Sequence, residues 1–130
     1  FSYSLFPHSG KWGRETISQA YLINDPIIAY EPHQTKRGAG EASFQFLSVE
    51  PQSIVVETIK QAEDGQGWVI RCYETQRTRG KAVLKTGFPL SQAWMSDLME
   101  NKVSDLDPKN NQVFFDFHPY QIITIRLFPS

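Results

Sequence analysis

From Phe44 onward the sequence repeats one unit: a short run of β-branched and aromatic residues, then a turn signal, at a spacing of about ten residues. The clearest case is Ser53 to Ala62, with Ile54, Val55, Val56, Thr58 and Ile59, followed by Glu63-Asp64-Gly65-Gln66-Gly67 and then Trp68 to Glu74. β-branched residues favour an extended chain, and two glycines open a tight loop, so this stretch predicts a hairpin. Alternation then puts Trp68, Ile70 and Cys72 on one face and Val69, Arg71 and Tyr73 on the other. Further strands are expected at Phe44 to Glu50, Lys81 to Thr86, Gln92 to Leu98, Val113 to Phe117 and Gln121 to Leu127. Lys102 to Gln112 is charged and reads as a turn-rich connection. Short strands at this spacing predict an all-β fold, an antiparallel β-sandwich.

The first part of the chain is different. Phe1, Tyr3 and Leu5 alternate with Ser2 and Ser4, the pattern of a half-buried strand stopped by Pro7. One short helix is expected over Arg14 to Ile23, where Ile17, Ala20 and Tyr21 make a narrow apolar stripe. Asn24-Asp25-Pro26 ends it, because Pro26 restricts Asp25 and donates no hydrogen bond. Ile27 to Tyr30 reads as a short strand. Glu31 to Ser43 is rich in Pro, Gly and charge and is expected to be a linker, with a domain boundary after Ala42.

The 130 residues suit one domain, or one domain plus the edge of another. A formal net charge of −1 gives no basic field for nucleic acid or an anionic membrane, and no purely apolar run exceeds four residues, too few to span a bilayer. A single cysteine, Cys72, excludes a disulfide framework within the chain and a Cys-rich zinc site. With no Asn-x-Ser/Thr sequon and no signal-peptide pattern, an intracellular, cytoplasmic location is the expectation. A first residue inside a strand-like pattern suggests that the chain starts within a longer polypeptide.

Residues able to do chemistry are scattered. His8, His33 and His118 each neighbour a proline, and none has a second ligand-type residue at metal-binding spacing, so they read as turn histidines. Glu63 with Asp64, Asp97 with Glu100, and Asp105 with Asp107 are the close carboxylate pairs, and they read as solvated turn acids rather than a catalytic pair. Asp105-Leu106-Asp107 starts like a calcium loop but fails at Lys109 and Asn110, where an oxygen ligand and a glycine are required. Cys72, mid-strand, reads as an inert buried thiol. Arg77, Arg79 and Lys81 alternate across a turn and read as a solvated loop, with contact to a sugar hydroxyl or a neighbouring domain as the alternative. Trp68 and Trp94 fall in strands, where core packing is the usual role, whereas Trp12 follows Gly10-Lys11 in a loop. His8 and Trp12 are therefore the candidate binding residues, on a surface that another part of a larger protein covers. No catalytic or metal-ligating residue is assigned.

Five blocks in order carry a resemblance: Tyr3-Ser4-Leu5-Phe6-Pro7-His8-Ser9-Gly10-Lys11-Trp12, Ala20 to Pro26, Ile59 to Gly65, Ile70-Arg71-Cys72-Tyr73-Glu74, and Pro119 to Leu127. In that order they resemble the C-terminal region of family 38 glycoside hydrolases, the zinc-dependent retaining α-mannosidases. The resemblance implies that residues 1–42 are the tail of a large β-supersandwich plus a linker, and residues 43–130 a terminal small sandwich. It also implies that the nucleophile and the zinc ligands lie in an N-terminal catalytic domain outside this sequence. This chain would then be a non-catalytic part, with that domain as its partner and carbohydrate met only through the parent enzyme. The alternative is an independent carbohydrate- or protein-binding module.

Overall fold

A computed structural model describes residues 3–29 and 43–130. The chain divides into two compact units, Phe1–Ser43 and Phe44–Ser130.

The first unit contains α1 (Arg14–Asn24). Gly13 caps it without a side chain, but its N–H donates to Thr16 Oγ1 at 3.3 Å, half of a capping box. At the other end Asp25 N–H donates to Tyr21 O at 2.7 Å, and Asn24 Nδ2 donates to Ala20 O. No residue of α1 is buried; Ile17 and Tyr21 of the expected stripe are half-covered and Ala20 is exposed. Residues 3–6 and 27–29 form no strand, contrary to expectation. A strand needs a neighbouring ladder for its backbone groups, and the alternation of Tyr3 and Leu5 finds none among the described residues. The expected linker and the proposed boundary at Ala42 lie outside the described residues, apart from Ser43.

The second unit is a sandwich of eight strands: β1 (Leu47–Glu50), β2 (Ile54–Gln61), β3 (Trp68–Glu74), β4 (Gly80–Thr86), β5 (Leu90–Ser96), β6 (Lys102–Leu106), β7 (Gln112–Phe117) and β8 (Ile122–Pro129). One sheet has three strands in the order β1-β4-β7, the other five in the order β2-β3-β8-β5-β6, all antiparallel. The fold class and the β2–β3 hairpin are as the alternation predicts. β6 is the strand that the sequence conceals, because Lys102 and Asp105 sit on an exposed edge where charge blocks further pairing.

Between the sheets lie Ile54, Ile70, Cys72, Ala82, Leu84, Val113, Phe115, Phe117, Ile123, Ile125 and Leu127, all buried. Ile70 and Cys72 face this core as expected, with Trp68 packed at its margin against Phe46. Gly67 closes the hairpin at φ 77° where β8 passes so near that a Cβ would meet Leu127 O at 2.3 Å.

Candidate functional site

His8 and Trp12, the sequence-predicted pair, both belong to the first unit. Positive φ at Gly10 turns the loop between them. Phe6 stacks on the His8 imidazole with ring centroids 5.8 Å apart, and His8 Nδ1 lies 3.4 Å from Ser9 O. His8 lines an open cleft of about 560 Å³, formed by residues 6–9, Lys11 and residues 13–16 at the start of α1. Trp12 is not part of that cleft; it stands 59% exposed beside it. The two residues thus share a loop but not a pocket.

The carboxylate pairs resolve into structural roles. Asp64 and the Gln66 carbonyl hold the Arg126 guanidinium, which also lies over Trp94 and Phe128 at 5.5 and 5.1 Å. The ion pair with Arg126 holds the Asp64 carboxyl below its usual range. Glu100 crosses from the β5–β6 connection to bind Lys60 at 2.7 Å and the Glu63 N–H at 2.9 Å. The bond to Lys60 lowers the Glu100 pKa, and the bonds to Glu100 and then Glu63 raise that of Lys60. Asp97 accepts from Asn101 and from the Met99 N–H and so fixes the same connection. Its side-chain bond to Asn101 leads the lowering of its pKa. Each acid is engaged by a cation or an N–H, and none is left free beside another to abstract or donate a proton.

These contacts lie on the outer face of the five-stranded sheet. Register places Arg71, Thr124 and Ser96 in one row across β3, β8 and β5, and Val69, Arg126 and Trp94 in lines beside it. Val69, Thr124, Arg126 and Ser96 are all buried there. Alternation alone assigns that face to solvent. Trp94 is accordingly not a core residue: it stacks on Phe128 at 4.2 Å, with Lys102 Nζ 5.2 Å from its ring.

Sequence reasoning missed Glu74. It points between the sheets at one end of the sandwich and is 1% exposed. Oε1 accepts from Gln76 N–H (2.8 Å), Thr78 N–H (3.0 Å) and Thr78 Oγ1 (2.8 Å), and Oε2 accepts from Tyr120 N–H (2.9 Å). Burial alone raises its pKa, but these bonds outweigh it and hold the carboxyl below its usual range. The signal was in the sequence: Glu74 follows Ile70 and Cys72 in strict alternation and so had to face inward.

Cys72 is buried in the core, and burial pushes its thiol up to about 12. His118 is exposed in the β7–β8 turn, and His33 lies outside the described residues. Among the described residues no three His, Cys, Asp or Glu side chains come together as a metal ion requires. None of their helices is long and apolar enough to cross a membrane.

Residues 53–125 match the family described as the glycosyl hydrolases family 38 C-terminal beta sandwich domain. Alpha-mannosidase 2C1 from Homo sapiens is 29% identical over 98% of this chain and 12% of its own length. The Mus musculus Alpha-mannosidase 2C1 is 30% identical over the same shares. Alpha-mannosidase G from Dictyostelium discoideum is 33% identical over 58% of this chain and 7% of its own length. The chain therefore spans about an eighth of the mammalian relatives that it matches.

Proposed function

The chain belongs to the glycosyl hydrolase family 38 C-terminal β-sandwich domains, and from that membership we propose that it is a non-catalytic, supporting portion of a retaining α-mannosidase. The observation that carries this reading is that similarity to the two mammalian α-mannosidases runs through both units, 98% of the chain, yet occupies 12% of those proteins. Residues 1–42 are then the tail of a preceding β-supersandwich, and residues 43–130 the small sandwich that closes the region. The surfaces of the two units fit those parts. The sandwich encloses a core of its own, whereas the described residues of the first unit bury no side chain and leave Tyr3, Leu5, Trp12, Ile27 and Ile28 in water. Such a surface calls for cover, and the remainder of the enzyme supplies it.

Among the described residues of this chain no three ligands come together that could hold the zinc of such an enzyme. In this reading zinc and the glycosidic carboxylates belong to the catalytic domain, and mannoside is met there. Location in the cytoplasm remains part of the proposal.

His8 and Trp12 sit on the covered surface: Trp12 as an apolar anchor, His8 as a group able to hydrogen-bond a carboxylate or a substrate hydroxyl across the junction. The test is hydrolysis of an aryl α-mannoside. The full-length enzyme turns it over and the purified 130-residue chain does not; turnover by the chain alone would overturn the proposal. In the full-length enzyme Trp12→Ala lowers Tm with kcat/KM unchanged. For His8→Ala, lower kcat/KM at constant Tm assigns the imidazole to the site, and lower Tm with normal kinetics assigns it to the junction alone. No effect of either substitution removes both residues from the reading.

A further inference from the structure

The end of the sandwich built around Glu74 has a feature that packing does not require. Its one carboxylate holds two loops together, residues 75–79 through the Gln76 and Thr78 N–H groups and residues 118–121 through the Tyr120 N–H. The β1–β2 turn joins them: Ser53 O accepts from Thr75 N–H at 2.8 Å and from Thr75 Oγ1 at 2.9 Å, and Ser53 Oγ meets Thr78 Oγ1 at 3.3 Å. The three loops are thereby fixed on one buried anion.

Two residues displayed on that frame have left-handed backbones, Arg77 at φ 59° and Tyr120 at φ 57°. Glycine or asparagine fits such positions with less strain, so a bulky residue in each carries a backbone cost. Arg77 and Arg79 are both exposed, and among the described residues neither guanidinium has an acidic partner; Lys81, next along β4, is already paired with Asp116 at 3.1 Å. On the neighbouring loop, which Glu74 ties to theirs, Tyr120 and Ile122 are more than half exposed, and Ile122 lies opposite Tyr73, the residue before Glu74. The result is a hydrogen-bonded loop cluster that carries two guanidinium forks without acidic partners on one loop and an exposed aromatic and an exposed aliphatic side chain on the next.

We propose that this loop end binds an acidic polypeptide segment, in which carboxylates engage Arg77 and Arg79 and an apolar side chain lies against Tyr120 and Ile122. The chemistry selects this class. A neutral mannoside offers no charge to two guanidiniums, while nucleic acid and membrane need a wider basic field than a chain of net charge −1 provides. Guanidinium forks match carboxylates bidentately, and the fixed frame lowers the ordering cost of binding. The proposal is independent of the mannosidase reading, since the segment is defined by its charge and not by the protein that carries it.

The experiment titrates a synthetic Glu-Glu-Leu-Glu-Glu peptide into the 130-residue chain, observed through the arginine Nε–H resonances and by calorimetry. Saturable binding that shifts Arg77 and Arg79 and weakens with salt is expected, and a Lys-Lys-Leu-Lys-Lys peptide does not bind. Arg79→Gln together with Arg77→Gly weakens the acidic peptide about tenfold. Arg77→Gly alone relieves the left-handed backbone, raising Tm by about 4 °C while weakening the peptide, a combination that a merely structural arginine would not give. Equal affinity in the double variant, or no binding by the native chain, overturns the proposal. Displacement of the peptide by equimolar inorganic phosphate also overturns it, because the loops would then hold a small anion.

Discussion

The two units treat apolar surface in opposite ways. In residues 44–130 the side chains of Ile70, Leu84, Ile125 and Leu127 are wholly shielded between two sheets, and the chain closes on itself. In residues 3–29 no side chain is buried, and Tyr3 and Leu5 are 90% and 88% exposed. Yet the sequences are similarly apolar, and both alternate. The difference teaches that an alternating pattern promises a buried face only where the same unit also supplies the opposing surface. The sandwich contains both of its layers. Among its described residues the first unit has one helix and no strand, so the pattern there addresses a surface that these residues do not supply.

The largest effect follows from cutting at the boundary. Residues 44–130 alone are expected to unfold cooperatively, with a Tm within a few degrees of the whole chain, and residues 1–43 alone to show no cooperative transition. Circular dichroism melts of the two pieces check this. Loss of the cooperative transition from residues 44–130 would break the comparison, because the first unit would then be part of the sandwich core.

A pair of matched truncations probes the same contrast at single residues. Leu84 is wholly buried and Ile17 half-covered on an exposed helix. Leu84→Ala leaves a cavity and costs about 3 kcal/mol, whereas Ile17→Ala costs about 0.5 kcal/mol or less. Urea unfolding of the whole chain measures both. Equal costs would mean that α1 is packed as tightly as the core.

Much of this fold was legible because the strands of the sandwich follow simple rules. Ile70 and Cys72 show the inward face by alternation, and Gly65 and Gly67 mark the hairpin. β6 was not legible: its Lys102 and Asp105 suit an edge strand as well as a loop, and only its pairing with β5 decides. The outer face of the five-stranded sheet was misleading for a related reason. Val69 and Arg126 alternate outward, but Glu100, which reaches Lys60, draws the β5–β6 connection across toward β2. Alternation reports the local face and says nothing of a distant loop that covers it. His8 and Trp12 were legible as loop residues with unusual side chains, but not the fact that only His8 lines the cleft.

Within the sandwich, polar groups sharpen the contrast. Glu74 is as buried as the core leucines, yet each of its oxygens is bonded. Glu74→Gln keeps the shape but presents an amide N–H₂ to donors, and should cost about 2 kcal/mol at neutral pH. The sign of the pH effect is fixed by the direction of its shift. With the folded carboxyl below its usual range, the unfolded chain binds the proton first on acidification. Its stabilisation is complete above about pH 4.3, the unfolded value, and is lost as pH falls through the lower folded value. The variant should therefore lose less stability than the native chain over that acid range. Parallel acid curves would show that Glu74 is not ionised in the fold.

The smallest effect is expected where the sandwich falls short of its own rule. Ser96 is buried on the outer face of the five-stranded sheet, and its Oγ has no hydrogen-bond partner among the described residues; the same holds for Arg71 Nε and Trp94 Nε1. An unpaired buried hydroxyl contributes its desolvation cost without a compensating bond. Removing it takes away that cost together with very little packing, since serine and alanine differ by one atom. Ser96→Ala is thus expected to be neutral or stabilising by up to about 1 kcal/mol, opposite in sign to Glu74→Gln although both positions are buried and polar. Urea midpoints at unchanged m-value make the measurement. A loss of 1 kcal/mol or more would mean that the hydroxyl has a partner in solution, and that this face is as fully satisfied as the loop end around Glu74.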